Sequence, residues 1–376
     1  MKLRVAWRML VHEKGRAALA VGGVFVAILL IFLQLGFYLS VPRGGLLFYN
    51  AMRFDLLLTS SAYVIQAQSN DFPRRRLYQA LAVPEVATAA AVYHDSGLWL
   101  NAETGVQRDV FVIAFDPNNR VFDVPEIEQK ASVLRQQDTI LVDGASRPEL
   151  GALRVGRRIE IAKRAVTIGG VYRLGIGFVG LGVVLTSDLN LIRLFPNRNL
   201  GDINLGLLTL RPGADPDAVA EKLRQILPED TAVLTRKELA ARETDHWMTR
   251  TSTGLIFGFG TIVAFIVGLV ILNQTLSTQI ARHLPQYATL KAIGYTDAAL
   301  AGIVVTLAIL IATLSYLPAA LISTGIYALV SAFTPLPVSQ TPSRLLTVLA
   351  VTWVMSTISA LIAIRVLRRA DPVELF

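Results

Sequence analysis

Histidine, cysteine and nucleophile motifs are the features that could give this chain a catalytic or metal site, and their pattern argues against one. The four histidines, His12, His94, His246 and His283, are widely spaced, and neither HExxH nor G-x-S-x-G occurs. Zinc ligation and nucleophilic hydrolysis depend on such fixed spacings. The sequence contains no cysteine, which excludes disulfides and thiolate chemistry. We therefore expect no catalytic residue, no bound metal and no cofactor.

Two glycine-rich stretches have the letters of phosphate-binding motifs but the wrong context. Gly175–Gly180, GIGFVG, matches the dinucleotide fingerprint, yet the LGVVLTS that follows has the pattern of a strand. The fingerprint binds pyrophosphate only where its glycines lead into a helix N-terminus. Gly151–Arg158, GALRVGRR, places Arg157 and Arg158 where a phosphate-binding loop needs Lys and then Ser or Thr. We expect neither stretch to bind a nucleotide.

A third motif, PQYATLKAIGY at Pro285–Tyr295, lies in a polar interval between two long apolar segments. Proline is favoured in the first turn of a helix, where no backbone donor is needed. Residues 286–293 can form about two helical turns, and Gly294 can end them in a left-handed cap. Thr296 or Asp297 can then cap the next helix. The pattern predicts a short helix where a turn of a few residues would suffice.

This short helix is the candidate functional site. We expect Tyr287, Leu290, Lys291 and Tyr295 to be exposed, because a short helix with a free apolar edge suits a groove on another protein. Tyr287, Leu290 and Ile293 are the predicted anchors, with Lys291 at the rim. The predicted site residues are Pro285, Gln286, Tyr287, Leu290, Lys291, Ile293, Gly294 and Tyr295. The alternative is an interfacial helix that contacts only lipid.

Composition indicates a membrane protein. Of the 376 residues, 53% are hydrophobic and 17% are charged, whereas about a quarter are charged in soluble domains. About 20 apolar residues in a helix cross the hydrocarbon core. Segments with few or no charged residues predict four membrane-spanning helices at residues 17–40, 251–278, 298–330 and 345–367. The third contains Pro318, so we expect it to be kinked, tilted or protruding.

The distribution of Lys and Arg predicts the orientation of these spans. The two ends of the chain and the loop between the second and third spans hold ten basic and four acidic residues. The long segment between the first two spans holds 25 basic and 24 acidic residues. Both termini and the loop are therefore predicted to be cytoplasmic, and the net charge of +8 reflects topology rather than a nucleic-acid surface. The first span is expected to stay as a signal anchor, because its apolar stretch is longer than that of a cleaved signal peptide.

The predicted fold class is an α-helical membrane protein with four transmembrane helices and a large extracytoplasmic α/β domain between the first and second. Residues 41–250 form that domain, in which a β-rich lobe at about 96–193 is inserted into an α/β lobe. Residues 236–250 are predicted to be a stalk helix that continues without a break into the second span. The remaining predicted segments are an amphipathic interfacial helix at 1–16, a cytoplasmic loop at 279–297, an outer hairpin at 331–344 and a cytoplasmic tail at 368–376.

Three stretches of the sequence resemble one transporter family. LPQYATLKAIGY resembles the loop of FtsX-like, MacB-like ABC permeases, above all the DevC-type exporter branch. The tail RRADPVELF, with Asp371, Pro372 and Glu374, resembles the closing motif of that family. YRLGIGFVGLGVVLTSDLNLIRLFP resembles a DevC-type outer-domain stretch. The order of one span, a large domain and three spans is also similar, so the resemblance covers the whole chain.

The resemblance implies a permease of the type VII class, in the bacterial inner membrane, that has no ATPase of its own. The Pro285–Tyr295 helix would be a coupling helix held by a separate cytoplasmic ABC ATPase. Two permease copies would form the working unit, with a periplasmic membrane-fusion adaptor and an outer-membrane channel as further partners. ATP-driven closure would move the stalk helices and the periplasmic domain. Relatives often carry Glu where this chain has Gln286, so the resemblance does not imply an ion pair at that position.

Other functions remain compatible with the sequence. An FtsX-like regulator of cell-wall hydrolases and a lipoprotein-releasing permease share the architecture with an exporter of lipid or glycolipid. A membrane-anchored sensor or enzyme is a further alternative, which would require a constellation in the outer domain that the sequence does not show. A homodimer and a heterodimer, each with or without an adaptor and channel, are both compatible with the sequence.

Overall fold

The computed structural model describes Trp7 and residues 14–333 and 338–368. They form two compact units: a membrane unit from the residues before 41 and after 251, and a sheet unit of residues 41–251. The predicted interfacial helix at 1–16 is described only at Trp7 and from Lys14 onward. The tail residues Asp371, Pro372 and Glu374 lie outside the described residues.

The regular elements of the described residues are as follows. The α-helices are α1 (Lys14–Gly45), α2 (Leu47–Ala51), α3 (Arg75–Leu81), α4 (Pro125–Lys130), α5 (Asp188–Leu194), α6 (Pro216–Ile226), α7 (Arg236–Asp245), α8 (Ser252–Arg282), α9 (Leu284–Ala292), α10 (Asp297–Phe333) and α11 (Pro342–Arg368). The strands are β1 (Leu56–Ser60), β2 (Phe72–Pro73), β3 (Val86–Leu100), β4 (Gln107–Phe115), β5 (Thr139–Asp143), β6 (Arg158–Ile161), β7 (Arg164–Tyr172), β8 (Val183–Ser187), β9 (Asp202–Ile203), β10 (Leu205–Leu210) and β11 (Thr231–Thr235). Short 3₁₀ helices cover Gln66–Gln68, Ala131–Arg135 and Pro148–Leu150, and a π-helix covers His246–Arg250.

Helices α1, α8, α10 and α11 are long and apolar enough to cross a membrane. Their candidate spans are Ala17–Gly45, Ser252–Arg282, Asp297–Ser331 and Pro342–Ile364. The four predicted spans are therefore confirmed, with ends that differ by a few residues. Helix α10 continues through Pro318 over 37 residues. That is longer than a straight crossing requires.

Side-chain hydrogen bonds supplement apolar packing between the membrane helices. The Ser315 hydroxyl of α10 donates to the Val21 carbonyl of α1 at 2.9 Å. The Ser359 hydroxyl of α11 donates to the Leu269 carbonyl of α8 at 3.2 Å. Small hydroxyl residues allow close helix approach and pair across helices where no water is present. These two bonds tie α10 to α1 and α11 to α8.

One half of the sheet unit is an antiparallel sheet covered by two helices. Its strand order is β11–β1–β10–β3. Helix α3 connects β1 to β3 and α6 connects β10 to β11, which gives two β-α-β units in a split arrangement. Asp215 caps α6 by accepting from the Asp217 amide at 3.2 Å, and Pro216 occupies the first turn, as the sequence predicts. The helix buries Val219, Ala220 and Leu223.

The other half of the sheet unit is a closed β-barrel. Strands β3, β4, β8, β5, β7 and β6 pair in that order, and β6 then pairs with the end of β3 through Trp99 and Ile161. A tight turn at Ala162 and Lys163, both with positive φ, joins β6 to β7. Trp99 is fully buried and donates its indole N–H to the Leu150 carbonyl at 3.1 Å. Closure removes the free edges of these strands.

The β-rich middle and the α/β ends share one sheet of nine strands. The 15-residue strand β3 belongs to both halves, pairing with β10 along its first part and with β4 from Val92 to Leu100. The predicted division at about residue 96 falls inside this strand. The β-rich lobe is thus continuous with the sheet of the α/β lobe and is not joined to it by a linker. This arrangement depends on pairing between strands that are far apart in the sequence.

The chain between the sheet and α8 departs from the predicted continuous stalk. Thr235 and Glu238 form a reciprocal capping box that starts α7. The helix passes into the π-helix at His246–Arg250, and Thr251 then adopts an extended conformation with φ −104° and ψ 148°. The Thr251 hydroxyl donates to the Trp247 carbonyl at 2.7 Å, so a side chain occupies an acceptor that helix continuation would use. The expectation of an unbroken helix into the second span is wrong.

Candidate functional site

The predicted short helix is present as α9 in the interval between α8 and α10. It begins at Leu284, one residue before the expected start, and has Pro285 in its first turn. Nδ1 of His283 lies 2.5 Å from Oε1 of Gln286, and the Tyr287 amide donates to the His283 carbonyl at 3.0 Å. The His283–Gln286 bond closes the first turn, so a single residue separates α8 from α9.

The end of α9 is capped as the sequence predicts. Gly294 has φ +103°, the left-handed conformation that glycine adopts without strain. The Tyr295 amide donates to the Leu290 carbonyl at 3.1 Å, and the Gly294 amide donates to the Lys291 carbonyl at 3.0 Å. These are the two bonds of a Schellman motif. The helix therefore has defined bonds at both ends.

Thr296 rather than Asp297 provides the cap of α10. Its hydroxyl accepts from the Ala299 amide at 3.3 Å. Asp297 instead lies 3.2 Å from Nζ of Lys291, an ion pair between α9 and α10. Both side chains are partly exposed, so the pair adds little stability. The lysine expected at the rim of a docking surface already has a partner within the chain.

The exposure expected for this helix is wrong at the tyrosine. Tyr287 is 2% exposed and belongs to the apolar core of the membrane unit, and burial raises its pKa to about 12. Leu290 and Tyr295 are half-buried against the same core. Neighbouring helices thus cover the apolar edge that seemed free. One face of α9 is consequently an internal contact, and two of the three predicted anchors lie on it.

The exposed face of α9 is a different stripe of the helix. Pro285, Gln286, Thr289 and Ile293 are exposed, and Ile293 keeps 71% of its accessible surface. Pro285, Thr289 and Ile293 follow the i, i+4, i+8 spacing of one helical face, and Gln286 lies beside them. Thr289 was not among the predicted site residues, although its spacing from Pro285 and Ile293 could have indicated it. Ile293 is the single large apolar side chain among the described side chains of this face.

The two glycine-rich stretches have structural roles. Strand β8 follows Gly175–Gly180 where a nucleotide site needs a helix. The buried Asp143 accepts from the amides of Leu174 and Gly175 at 3.1 and 2.8 Å, which holds this loop. Residues 151–157 form neither helix nor strand, have a turn at residues 155 and 156, and lead into β6. Among the described residues, no group of three His, Asp or Glu side chains could hold a metal ion.

Comparison with known proteins identifies both parts of the chain. The MacB-like periplasmic core domain matches residues 17–226, more than half of the chain. The FtsX-like permease C-terminal domain matches residues 258–372, which include α9. No curated protein sequence matches significantly.

Two solved structures are among the matches to this fold. The periplasmic region of MacB from Actinobacillus actinomycetemcomitans has 8% identity and a TM-score of 0.34, over 48% of this chain and 87% of that one. The extracellular domain of the noncanonic ABC-type transporter YknZ from Gram-positive bacteria has 12% identity and a TM-score of 0.34, over 48% of this chain and 99% of that one. The two family matches, in the order of a core domain followed by a permease domain, carry the assignment. The chain belongs to the FtsX-like, MacB-like permease family of ABC transporters.

Proposed function

We propose that this chain is the permease subunit of an ABC exporter and that α9 is the coupling helix on which a separate cytoplasmic ATPase docks. The observation that carries the proposal is the construction of α9. Its two ends have defined bonds, one face packs in the core of the membrane unit, and the opposite face is exposed. A force applied to the exposed face would therefore reach the neighbouring helices directly.

The two faces of α9 divide the work of docking and transmission. Ile293, with Gln286 and Thr289 beside it, forms the docking face, because these side chains are available to a partner. Tyr287 and Leu290 hold the helix to the membrane unit and transmit its displacement. A neutral glutamine at position 286 leaves the docking face without a charge of its own, so shape and apolar contact would dominate.

The rest of the mechanism places both termini and α9 in the cytoplasm and the sheet unit in the periplasm. The charge distribution, with ten basic and four acidic residues on the side of α9, supports this orientation. ATP hydrolysis would displace the membrane helices and, through them, the sheet unit. Energy would thus reach the periplasm as mechanical movement.

The partners follow from the resemblance of the loop and tail motifs to the DevC-type branch. We propose a homodimer of this chain, a periplasmic membrane-fusion adaptor and an outer-membrane channel. Export of a lipid or glycolipid is the corresponding activity. Support for these finer assignments comes from the motifs LPQYATLKAIGY and RRADPVELF.

Binding of the partner ATPase to the full-length chain in nanodiscs tests the docking face. Ile293→Ser should weaken binding by about 10- to 30-fold, the effect of losing a central apolar anchor of about 1.4–2 kcal/mol. Ile226→Ser is the matched control, because Ile226 is also an exposed isoleucine at the end of a helix, in the sheet unit. Tyr287→Phe should bind normally, since the buried Tyr287 hydroxyl has no hydrogen-bond partner among the residues that the structure describes. Unchanged binding by Ile293→Ser would refute the assignment of α9 as the docking helix.

A further inference from the structure

A buried carboxylate on α7 joins three segments of the sheet unit. Glu243 is fully buried. Its Oε1 accepts from the Tyr63 hydroxyl and from the Gln66 amide, the latter at 3.2 Å. Its Oε2 accepts from the Trp247 indole N–H at 3.0 Å. A buried carboxylate is tolerated only where its oxygens are satisfied in this way, so the geometry of this site is strictly defined.

The network extends to the helix that follows the first span. The Tyr63 hydroxyl also bonds to the buried hydroxyl of Tyr49 on α2. Only one residue separates α2 from the end of α1. We call Tyr49, Tyr63, Glu243 and Trp247 the Glu243 cluster. It connects the segment just after the first span with the segment just before the second.

Trp247 adds a packed contact at the same place. Its ring lies 4.7 Å from the ring of Phe178, measured between centroids. The indole occupies the space where a side chain at Gly45 would be, and Phe178 occupies the corresponding space at Gly44. Trp247 is part of the π-helix, a distortion that is frequent at functional positions. The cluster therefore lies beside the place where the end of α1 and the π-helix pack against the loop between β7 and β8, which carries Phe178.

Polar contacts, rather than apolar burial, attach α7 to the sheet unit. Leu239 is the one apolar residue that α7 buries, and Glu243 is its other buried residue. Arg236 donates to the Phe54 and Met52 carbonyls at 2.8 Å each, and its guanidinium lies 4.0 Å from the Phe54 ring centroid. Apolar contacts permit sliding, whereas a hydrogen-bonded carboxylate specifies one position. If the hydrogen bonds of the cluster were lost, few contacts other than those of Leu239 and Arg236 would hold α7 on the sheet unit.

We propose that the Glu243 cluster makes α7 and the sheet unit move as one body, so that displacement of the second span is delivered to the domain. Glu243, Tyr63 and Trp247 are positioning residues in this account. The inference rests on the proposed function, because it supplies the step by which movement of the membrane helices would reach the sheet unit. Without the cluster, α7 would shift relative to the sheet when ATP binds.

Spin-label distances in the full-length chain test this proposal, and the absence of cysteine permits clean labelling. One label is placed at Ala241→Cys on the exposed side of α7 and the other at Leu189→Cys on α5, where the leucine is exposed. The wild-type background should give a narrow distance distribution that is unchanged by a non-hydrolysable ATP analogue with the ATPase. Tyr63→Phe and Glu243→Gln should broaden it and make it shift with the analogue.

Glu221→Gln is the matched control, because Glu221 is an exposed acid on a helix of the same unit whose ion-pair partner is Arg224. It should keep the narrow distribution. Trp247→Phe is the milder variant to use if Tyr63→Phe or Glu243→Gln does not fold. It keeps an aromatic ring at position 247 and removes only the hydrogen bond to Glu243. Distributions as narrow as wild type in Tyr63→Phe and Glu243→Gln, with and without the analogue, would overturn the proposal. Comparison of the wild-type and variant distance distributions without nucleotide tests the cluster independently of the ATPase. A wild-type chain that fails to bind the ATPase would count against the proposed function alone.

Discussion

At the scale of single residues, Gly294 is the position with the clearest conformational requirement. Its φ of +103° is strained for any residue with a Cβ, although no atom of the described part of the chain lies near enough to clash with that Cβ. We expect Gly294→Val to destabilise the α9 cap by about 1–3 kcal/mol. It should also reduce the rate at which the partner ATPase hydrolyses ATP in complex with this chain. Gly213→Val is the control, because Gly213 has φ +88° and open space in a loop of the sheet unit. Equal turnover in both variants would show that the cap does not matter for coupling.

His94 is a residue whose burial makes folding sensitive to acid. Desolvation lowers the pKa of its imidazole from 6.5 to about 3, with nearby Arg198 contributing in the same direction. His94 therefore becomes protonated near pH 6.5 in the unfolded chain but only near pH 3 in the folded chain. Unfolding free energy should fall as the pH is lowered through this interval, by at most about 1.4 kcal/mol per pH unit.

The thermal midpoint of the full-length chain, measured from pH 7 to pH 4, tests this prediction. His94→Phe keeps an aromatic ring beside Phe111, whose centroid lies 5.1 Å away, and removes the titrating group. The wild-type midpoint should fall more steeply on acidification than that of the variant. Parallel curves would mean that His94 does not set the acid response.

At the scale of elements, closure of the barrel depends on the end of β3. Trp99 pairs with Ile161 of β6 and is fully buried. Trp99→Ala should lower the free energy of unfolding of the sheet unit by about 3–5 kcal/mol, the cost of a large cavity. Leu98→Ala is the neighbouring control, because Leu98 points to the opposite face and is 52% exposed. Denaturant unfolding that gives similar losses for both variants would contradict this account of closure.

At the scale of the whole molecule, the asymmetry of Lys and Arg predicts which side of the membrane each part occupies. Single cysteines can be introduced at Glu103, Asp217 and Lys291, all of which are exposed. A membrane-impermeant thiol reagent applied to cells with a permeable outer membrane should label Glu103→Cys and Asp217→Cys but not Lys291→Cys. Labelling at position 291 before the inner membrane is opened would reverse the proposed orientation.

Local signals in the sequence by themselves determined much of the architecture. Apolar length predicts the four spans, because a bilayer requires about 20 apolar residues whatever the helix later packs against. The caps of α6 and α9, at Asp215 and Gly294, also follow from neighbouring residues alone. The strand after Gly175–Gly180 excludes the nucleotide fingerprint for the same local reason. Each of these features depends on residues a few positions apart.

Only the tertiary structure decided which face of each element is covered and which distant segments meet. Tyr287 is buried because neighbouring helices reach it, and no periodicity within α9 shows that. The pairing of β3 with β10 and the bond between Tyr63 and Glu243 each join residues more than 100 positions apart. The sequence pattern indicates which residues prefer burial. Burial itself requires a packing partner, and partners that are far apart in the chain are determined by the packing of the whole fold.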